Sequence, residues 1–196
     1  GVPLPPPGPA RRGAVLVLLY PGETGQAFVA LTERATGDLR HPGEVSLPGG
    51  AVEEGDESDT AAALREAAEE IGLDPAEAGV EVVGSLDPVD VRVSGFRLVP
   101  VVAVAARRPR FRPDPREVAS LLEAPLAAFL PDAPIEMVEE ERAGRLLRYG
   151  AFPVGGHRVW GATARILGQL GALFRGEAGA GAAGAELPPT RAPRSG

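Results

Sequence analysis

The chain has 196 residues, 44% of them hydrophobic and 24% charged, which suits one globular domain with a single core. Its formal charge of −7 argues against a general nucleic-acid binder, and it has no cysteine for disulfide or thiolate chemistry. The longest apolar stretches, residues 14–20 and 98–106, fall short of the ~20 residues that a bilayer requires.

Residues 1–12 (GVPLPPPGPARR) are Pro-rich and read as an extended arm, without the apolar segment of a signal peptide. Residues 13–20 read as a buried strand. Pro21-Gly22 turns the chain, and residues 27–33 read as the returning strand of a hairpin. A short strand over 45–47 and a turn at Pro48-Gly49-Gly50 come next. A helix is expected from Ser58 or Asp59 to Ile71, with Gly72 placed as its terminating glycine. Ala61, Leu64, Ala68 and Ile71 recur at helical spacing and would form its apolar face. Asp74-Pro75 opens a short helical piece.

Strands are expected over 80–86 and 96–105. Residues 118–130 combine a strand-like start with a short helix. A hairpin over 135–141 and 145–152 turns at Ala143-Gly144. The last helix spans 160–174, with Trp160 in the core. These elements lack regular βαβ alternation, so the fold class is an α/β sandwich with a mixed sheet. The folded domain spans 13–175. Residues 176–196 are rich in Gly, Ala and Pro, cannot bury enough surface to offset chain entropy, and are expected to be disordered. All twenty basic residues are Arg, a bias best explained by codon usage.

The chemistry concentrates in residues 49–73, GGAVEEGDESDTAAALREAAEEIGL. Glu66, Glu69 and Glu70 stand at i, i+3 and i+4, on one helix face. An acidic solvated face would explain three glutamates alone. A hard divalent cation would instead convert their repulsion into binding. Gly49 and Gly50 precede them, in a turn whose amides are expected to approach a phosphate. Glu57 is expected to pair with Arg65 and lock the loop to the helix.

Together these residues resemble the Nudix box: Gly, five residues, Glu, seven residues, then Arg-Glu-U-x-Glu-Glu-x-Gly-U, with U aliphatic. Glu57, Arg65-Glu66, Glu69-Glu70, Gly72 and Leu73 match. Ala67 is smaller than usual at a U position. Six residues separate Gly50 from Glu57, so either the loop carries an insertion or Asp56 takes the place of the loop acid.

Upstream, Leu31, Thr32, Arg34, Leu39, His41, Gly43, Val45 and Pro48-Gly49-Gly50 resemble the motif preceding the box in coenzyme A diphosphatases, with Leu47 where that subfamily prefers Phe. The resemblance spans about residues 13–174. It implies a Nudix-type α/β/α sandwich with a mixed β-sheet. It also implies a hydrolase that needs Mg²⁺ or Mn²⁺ and cuts coenzyme A to 4′-phosphopantetheine and adenosine 3′,5′-bisphosphate.

The implied metal ligands are Glu66, Glu69 and Glu70, which are also catalytic. Glu117 is the candidate general base from a distant loop, with the glutamates of 139–141 weaker candidates. Arg34, His41, Gly49 and Gly50 would contact substrate, and Glu57, Arg65 and Gly72 would be structural. His157 and Arg40 carry no motif of that strength. The expected partners are a small nucleotide and a second copy of the chain as a homodimer, in the cytoplasm, with no nucleic acid and no membrane. Within the same family, ADP-ribose or another nucleotide is the alternative substrate. Outside enzymes, the alternative is a non-catalytic nucleotide-binding regulator.

Overall fold

The computed structural model describes residues 10–35, 44–92, 94–142 and 145–176. The central strand is β1 (Arg11–Pro21), in which every residue from Gly13 to Leu18 is buried. It lies antiparallel to β2 (Ala27–Arg34) and β4 (Gly49–Ala51) on one side, and parallel to β7 (Phe96–Ala105) on the other. β2 diverges from β1 after a short pairing and takes β3 (Val45–Ser46) and β8 (Val118–Pro125) as further neighbours. β7 carries β5 (Val80–Ser85) and β6 (Val89–Val91). Among the described residues these eight strands form one mixed sheet. A second sheet holds β9 (Glu136–Arg142), β10 (Arg145–Val154) and β11 (His157–Val159).

Helices cover both faces of the main sheet, and the period of two in β1 divides its side chains between them. Ala14, Leu16, Leu18 and Tyr20 pack with Ala62, Ala63, Ala67 and Ile71 of α1 (Asp59–Ile71). Val15 and Val17 belong to the opposite core, with Ile166, Leu167 and Leu170 of α3 (Gly161–Ala172). A strand buried on both faces reads as a continuous apolar run, as this one does. Each large aliphatic side chain so buried contributes about 1.5–3 kcal/mol. The short α2 (Pro75–Ala78) follows α1 and is capped by Asp74.

α1 starts at an N-cap, Ser58, whose hydroxyl accepts from the Ala61 amide at 3.1 Å. It ends at Gly72, which is left-handed with φ 64°. Its buried face differs from the expected one: Ala62, Ala63, Ala67 and Ile71 are buried, whereas Ala68 is exposed. Alanines stand all round this helix, so spacing alone left its rotation open. The buried alanines let α1 lie close to β1, and this accounts for the small residue at position 67.

Other boundaries also differ. β1 begins at Arg11, inside the expected arm: the Arg11 amide donates to Gly95 O at 2.8 Å, and its guanidinium lies 4.5 Å above the Phe96 ring. Gly49 and Gly50 form a strand on β1, not a turn, and β6 and β11 were not foreseen. Trp160 is half-buried at the start of α3, its ring 5.0 Å from that of Tyr149. The tail beyond residue 176 and most of the Pro-rich arm lie outside the described residues, as do Arg40 and His41. No described helix is long and apolar enough to cross a membrane.

Candidate active site

The acidic face of α1 is organised by Arg65. Its guanidinium donates to both carboxylate oxygens of Asp56 at 3.0 Å, to the carbonyl of Ala51 at 3.1 Å, to Glu66 at 3.0 Å and to Glu69 at 3.3 Å. One side chain thereby ties β4, the loop after it and α1 together. The acid that holds Arg65 is Asp56, whose side chain is only 6% exposed. This corrects the pairing expected for Glu57, which is exposed and makes no ion pair among the described residues. The longer Gly-to-Glu loop shifts the inward-pointing acid by one position. The Arg65 contact holds the Asp56 carboxyl below the usual carboxylate range, and the Asp56 contact in turn holds Arg65 charged.

Glu66 and Glu70 turn inward from the same face. Glu66 is 14% exposed and lies against Gly50, where a Cβ would stand 2.6 Å from its carboxylate carbon. Gly50 therefore makes room for a carboxylate. Gly49, with φ 153°, lets β4 approach β1, since a Cβ there would sit 2.3 Å from the carbonyl oxygen of Ala14. The Gly49 amide donates to Glu70 at 3.3 Å. Burial pushes the Glu70 carboxyl up to about 7. The Gly49 amide and the charge of Arg34 oppose this rise, and the charges of Glu66 and Glu117 add to it. Glu66 is raised too, first by burial and then by Glu69 and Glu117, against the pull of Arg65. Glu69 stands further out, 56% exposed and paired with Arg65.

Glu70 faces a cavity of about 180 Å³ that Thr32 and Arg34 of β2, Ser46 of β3, and Arg116 and Glu117 before β8 also line. Thr32 and Arg34 share a face of β2, while Glu33 turns away to accept from Ser120 at 2.6 Å. Thr32 is buried and opposite Ser46, their hydroxyls 3.3 Å apart. The structure thus brings together Arg34, Glu66, Glu70 and Glu117, residues separated widely in the chain. It places Glu139–Glu141 in the second sheet, where Glu139 pairs with Arg148, and His157 in β11. Sequence reasoning gave no role to Ser46 or Arg116, and offered Asp56 only as the alternative to Glu57 as the loop acid. The pattern Thr32-x-Arg34 opposite Ser46, and the proximity of Arg116 to Glu117, were the available signals.

The donor set suits a hard cation. Among the described residues no three carboxylates or imidazoles close into a full ligand cage. Mg²⁺ does not need one, because it keeps waters and binds through one or two carboxylates plus substrate phosphate. Glu66 and Glu70, half-buried on one face with the charge of Glu66 raising the Glu70 carboxyl, would supply such a partial site.

The NUDIX domain family model matches residues 10–141. This chain belongs to the NUDIX domain family. The Nudix chain is 41% identical over 163 residues to Nudix hydrolase 15, mitochondrial, of Arabidopsis thaliana, covering 80% of this chain and 56% of that protein. It is 39% identical over 160 residues to the Nudix hydrolase NudL of Enterobacter sp. (strain 638), covering 82% and 81%. The chain thus spans about half the length of the plant relatives it matches, 56% of Nudix hydrolase 15, mitochondrial, and 53% of Nudix hydrolase 22, chloroplastic, of Arabidopsis thaliana. Among solved structures, the Nudix hydrolase RenU of M. smegmatis superposes with a TM-score of 0.50 at 30% identity, over 60% of this chain and 72% of that one. A MutT/nudix family protein from Enterococcus faecalis reaches 0.51 at 18% identity, over 88% of this chain and 65% of that one, and shows the fold alone. In the Nudix box of this chain, Arg65 secures the loop while Glu66 and Glu70 line the inward side of α1.

Proposed function

We propose that this Nudix chain hydrolyses the diphosphate linkage of a nucleoside-diphosphate-X compound, and that coenzyme A is its substrate. The observation that carries the first part is the cavity in which a half-buried Glu70 faces Glu117 and Arg34, beside Glu66. Glu66 and Glu70, with Glu69 at the rim, would hold Mg²⁺ or Mn²⁺. Such an ion supplies neutralisation of the charge that develops on the transferred phosphoryl group and acidifies water.

The chain's own groups do the rest. Glu117 accepts the proton of the attacking water as its oxygen bonds to phosphorus and the bridging P–O bond breaks. Arg34 and Arg116 hold phosphate oxygens at the cavity wall. Thr32 and Ser46 offer hydroxyls that orient the substrate in the same space. The close packing at Gly49 and Gly50 keeps both helix carboxylates in place.

Coenzyme A rests on the motif around Leu31-Thr32, Arg34, His41 and Gly43, which precedes β4. His41 is assigned to substrate on that resemblance. The lack of cysteine suits a reducing setting such as the cytoplasm, while the plant relatives are named as mitochondrial and chloroplastic. Incubation with Mg²⁺ or Mn²⁺ and coenzyme A, dephospho-coenzyme A, ADP-ribose or diadenosine polyphosphates, with products identified by mass, tests the reading. Coenzyme A should yield 4′-phosphopantetheine and adenosine 3′,5′-bisphosphate. If Arg34 reads the 3′-phosphate, its contact is worth ~1.5–3 kcal/mol. Dephospho-coenzyme A should then be roughly tenfold to a hundredfold poorer in kcat/KM. Much faster turnover of ADP-ribose would overturn the substrate and leave the reaction class.

A further inference from the structure

Glu117 reaches the cavity through a loop that is keyed to the end of α1. The last carbonyls of a helix lack intrahelical partners. Here the Ile71 carbonyl accepts from the Arg112 amide at 2.8 Å, and the Glu70 carbonyl from the Asp114 amide at 2.9 Å. Gly72 permits this approach: a Cβ at that position would lie 2.7 Å from Cβ of Arg112. The helix residue that carries one carboxylate of the site therefore also anchors the loop that carries another.

Asp114 then closes the turn. Its carbonyl accepts from the amides of Glu117 at 3.1 Å and Val118 at 2.8 Å. Its carboxylate accepts from the Arg116 amide at 2.9 Å and from Nε of the Arg116 guanidinium at 3.0 Å. Beyond the turn, the Glu117 carbonyl accepts from the Ala35 amide at 3.0 Å, next to Arg34. From these contacts we infer that Asp114 is a positioning residue: it fixes Glu117 opposite Glu70 through its turn, and aims Arg116 at the cavity through its charge. The inference rests on the reading that Glu117 serves the reaction. It adds a distinct element, because Asp114 does not line the cavity itself.

The two functions of the carboxylate separate by mutation. Asn at position 114 keeps an oxygen for the Arg116 amide and loses the charge for its guanidinium; Ala loses both. Displacing a reacting group by ~1 Å costs about a hundredfold, so Asp114→Ala should lower kcat by that order. Asp114→Asn should return most of kcat while KM stays raised. In the Glu117→Gln background, Asp114→Ala should lower kcat little further, because effects on kcat that run through the one group Glu117 are not additive. Hydrogen exchange of the amides of residues 116–118 should accelerate in Asp114→Ala and return to the wild-type rate in Asp114→Asn. Additive losses of kcat, full kcat in Asp114→Ala, or unchanged exchange in that variant would overturn the role of Asp114. Wild-type turnover by Glu117→Gln would overturn it at its root. Failure of the wild-type chain to cut any diphosphate would instead overturn the proposed reaction.

Discussion

Replacing Gly50 by alanine separates two explanations for the paired glycines of β4. If Gly50 is there so that its amide can approach a phosphate, a methyl group matters through substrate binding. The structure points to a different effect. An ideal Cβ at Gly50 stands 2.6 Å from Cδ and Oε1 of Glu66 and 2.8 Å from Oε2. Carbon atoms in contact settle at roughly 3.5–4.0 Å, so the carboxylate must retreat by about 1 Å. It is the end of a flexible side chain, and an off-rotamer shift of that kind costs on the order of 0.5–1.5 kcal/mol. Turnover should suffer far more, about a hundredfold in kcat, if Glu66 holds the metal as proposed, because that ligand would have moved. Gly49→Ala supplies the contrast. Its Cβ would meet Ala14 O at 2.3 Å and Val15 Cα at 2.6 Å, which are backbone atoms that cannot yield. Overpacking and backbone strain together should cost about 2–6 kcal/mol. Urea denaturation and steady-state kinetics on both variants decide the matter. Full turnover in Gly50→Ala, or equal loss of stability in the two, would refute the reasoning.

Three further outcomes follow from the same geometry. Asp56→Ala should lower Tm and kcat together by freeing Arg65, whereas Glu57→Ala should leave both unchanged; a larger effect at Glu57 would reinstate the expected pairing. Gly72→Ala should cost about 2 kcal/mol or more in denaturant unfolding, from the left-handed backbone and the clash with Arg112; a neutral result would contradict the close approach. The third concerns pH. With its carboxyl pushed up to about 7 by burial, against Arg34 and with Glu66 and Glu117 facing it, folded Glu70 keeps a proton that the unfolded chain releases at lower pH. Metal-free stability should therefore fall as pH rises through that window, and Glu70→Gln in chelator should be the more stable protein at about pH 8 and equal to the parent near pH 4. Lower stability of the variant at the higher pH would contradict this.

Much of the fold was legible because local signals agreed with tertiary ones. The run in β1 read as a buried strand since α1 and α3 cover both its faces. Ser58 and Gly72 marked the ends of α1 chemically. Where one residue type carries two meanings, the reading failed. Alanines at five positions of α1 left its rotation undetermined. Glycines at 49 and 50 signalled a turn, but non-local pairing with β1 made them a strand. Asp56 and Glu57 are adjacent acids, and only the course of the loop decides which meets Arg65. The helix glutamates were visible from their spacing. The link from the end of α1 through Asp114 to Glu117 was not, because it consists of backbone hydrogen bonds between segments some forty residues apart. Ser46 and Arg116 were hidden likewise: their side chains acquire meaning only once β2, β3 and the loop before β8 converge.

The central claim is that the inward carboxylates of α1 drive cleavage of a diphosphate. Its most direct test is the turnover of coenzyme A by Glu70→Gln at saturating Mg²⁺, with the fold checked by circular dichroism. The amide keeps the size of the side chain and removes the charge that would hold the metal. The account predicts a native spectrum and a kcat lower by orders of magnitude. A native spectrum with near-normal turnover would contradict it.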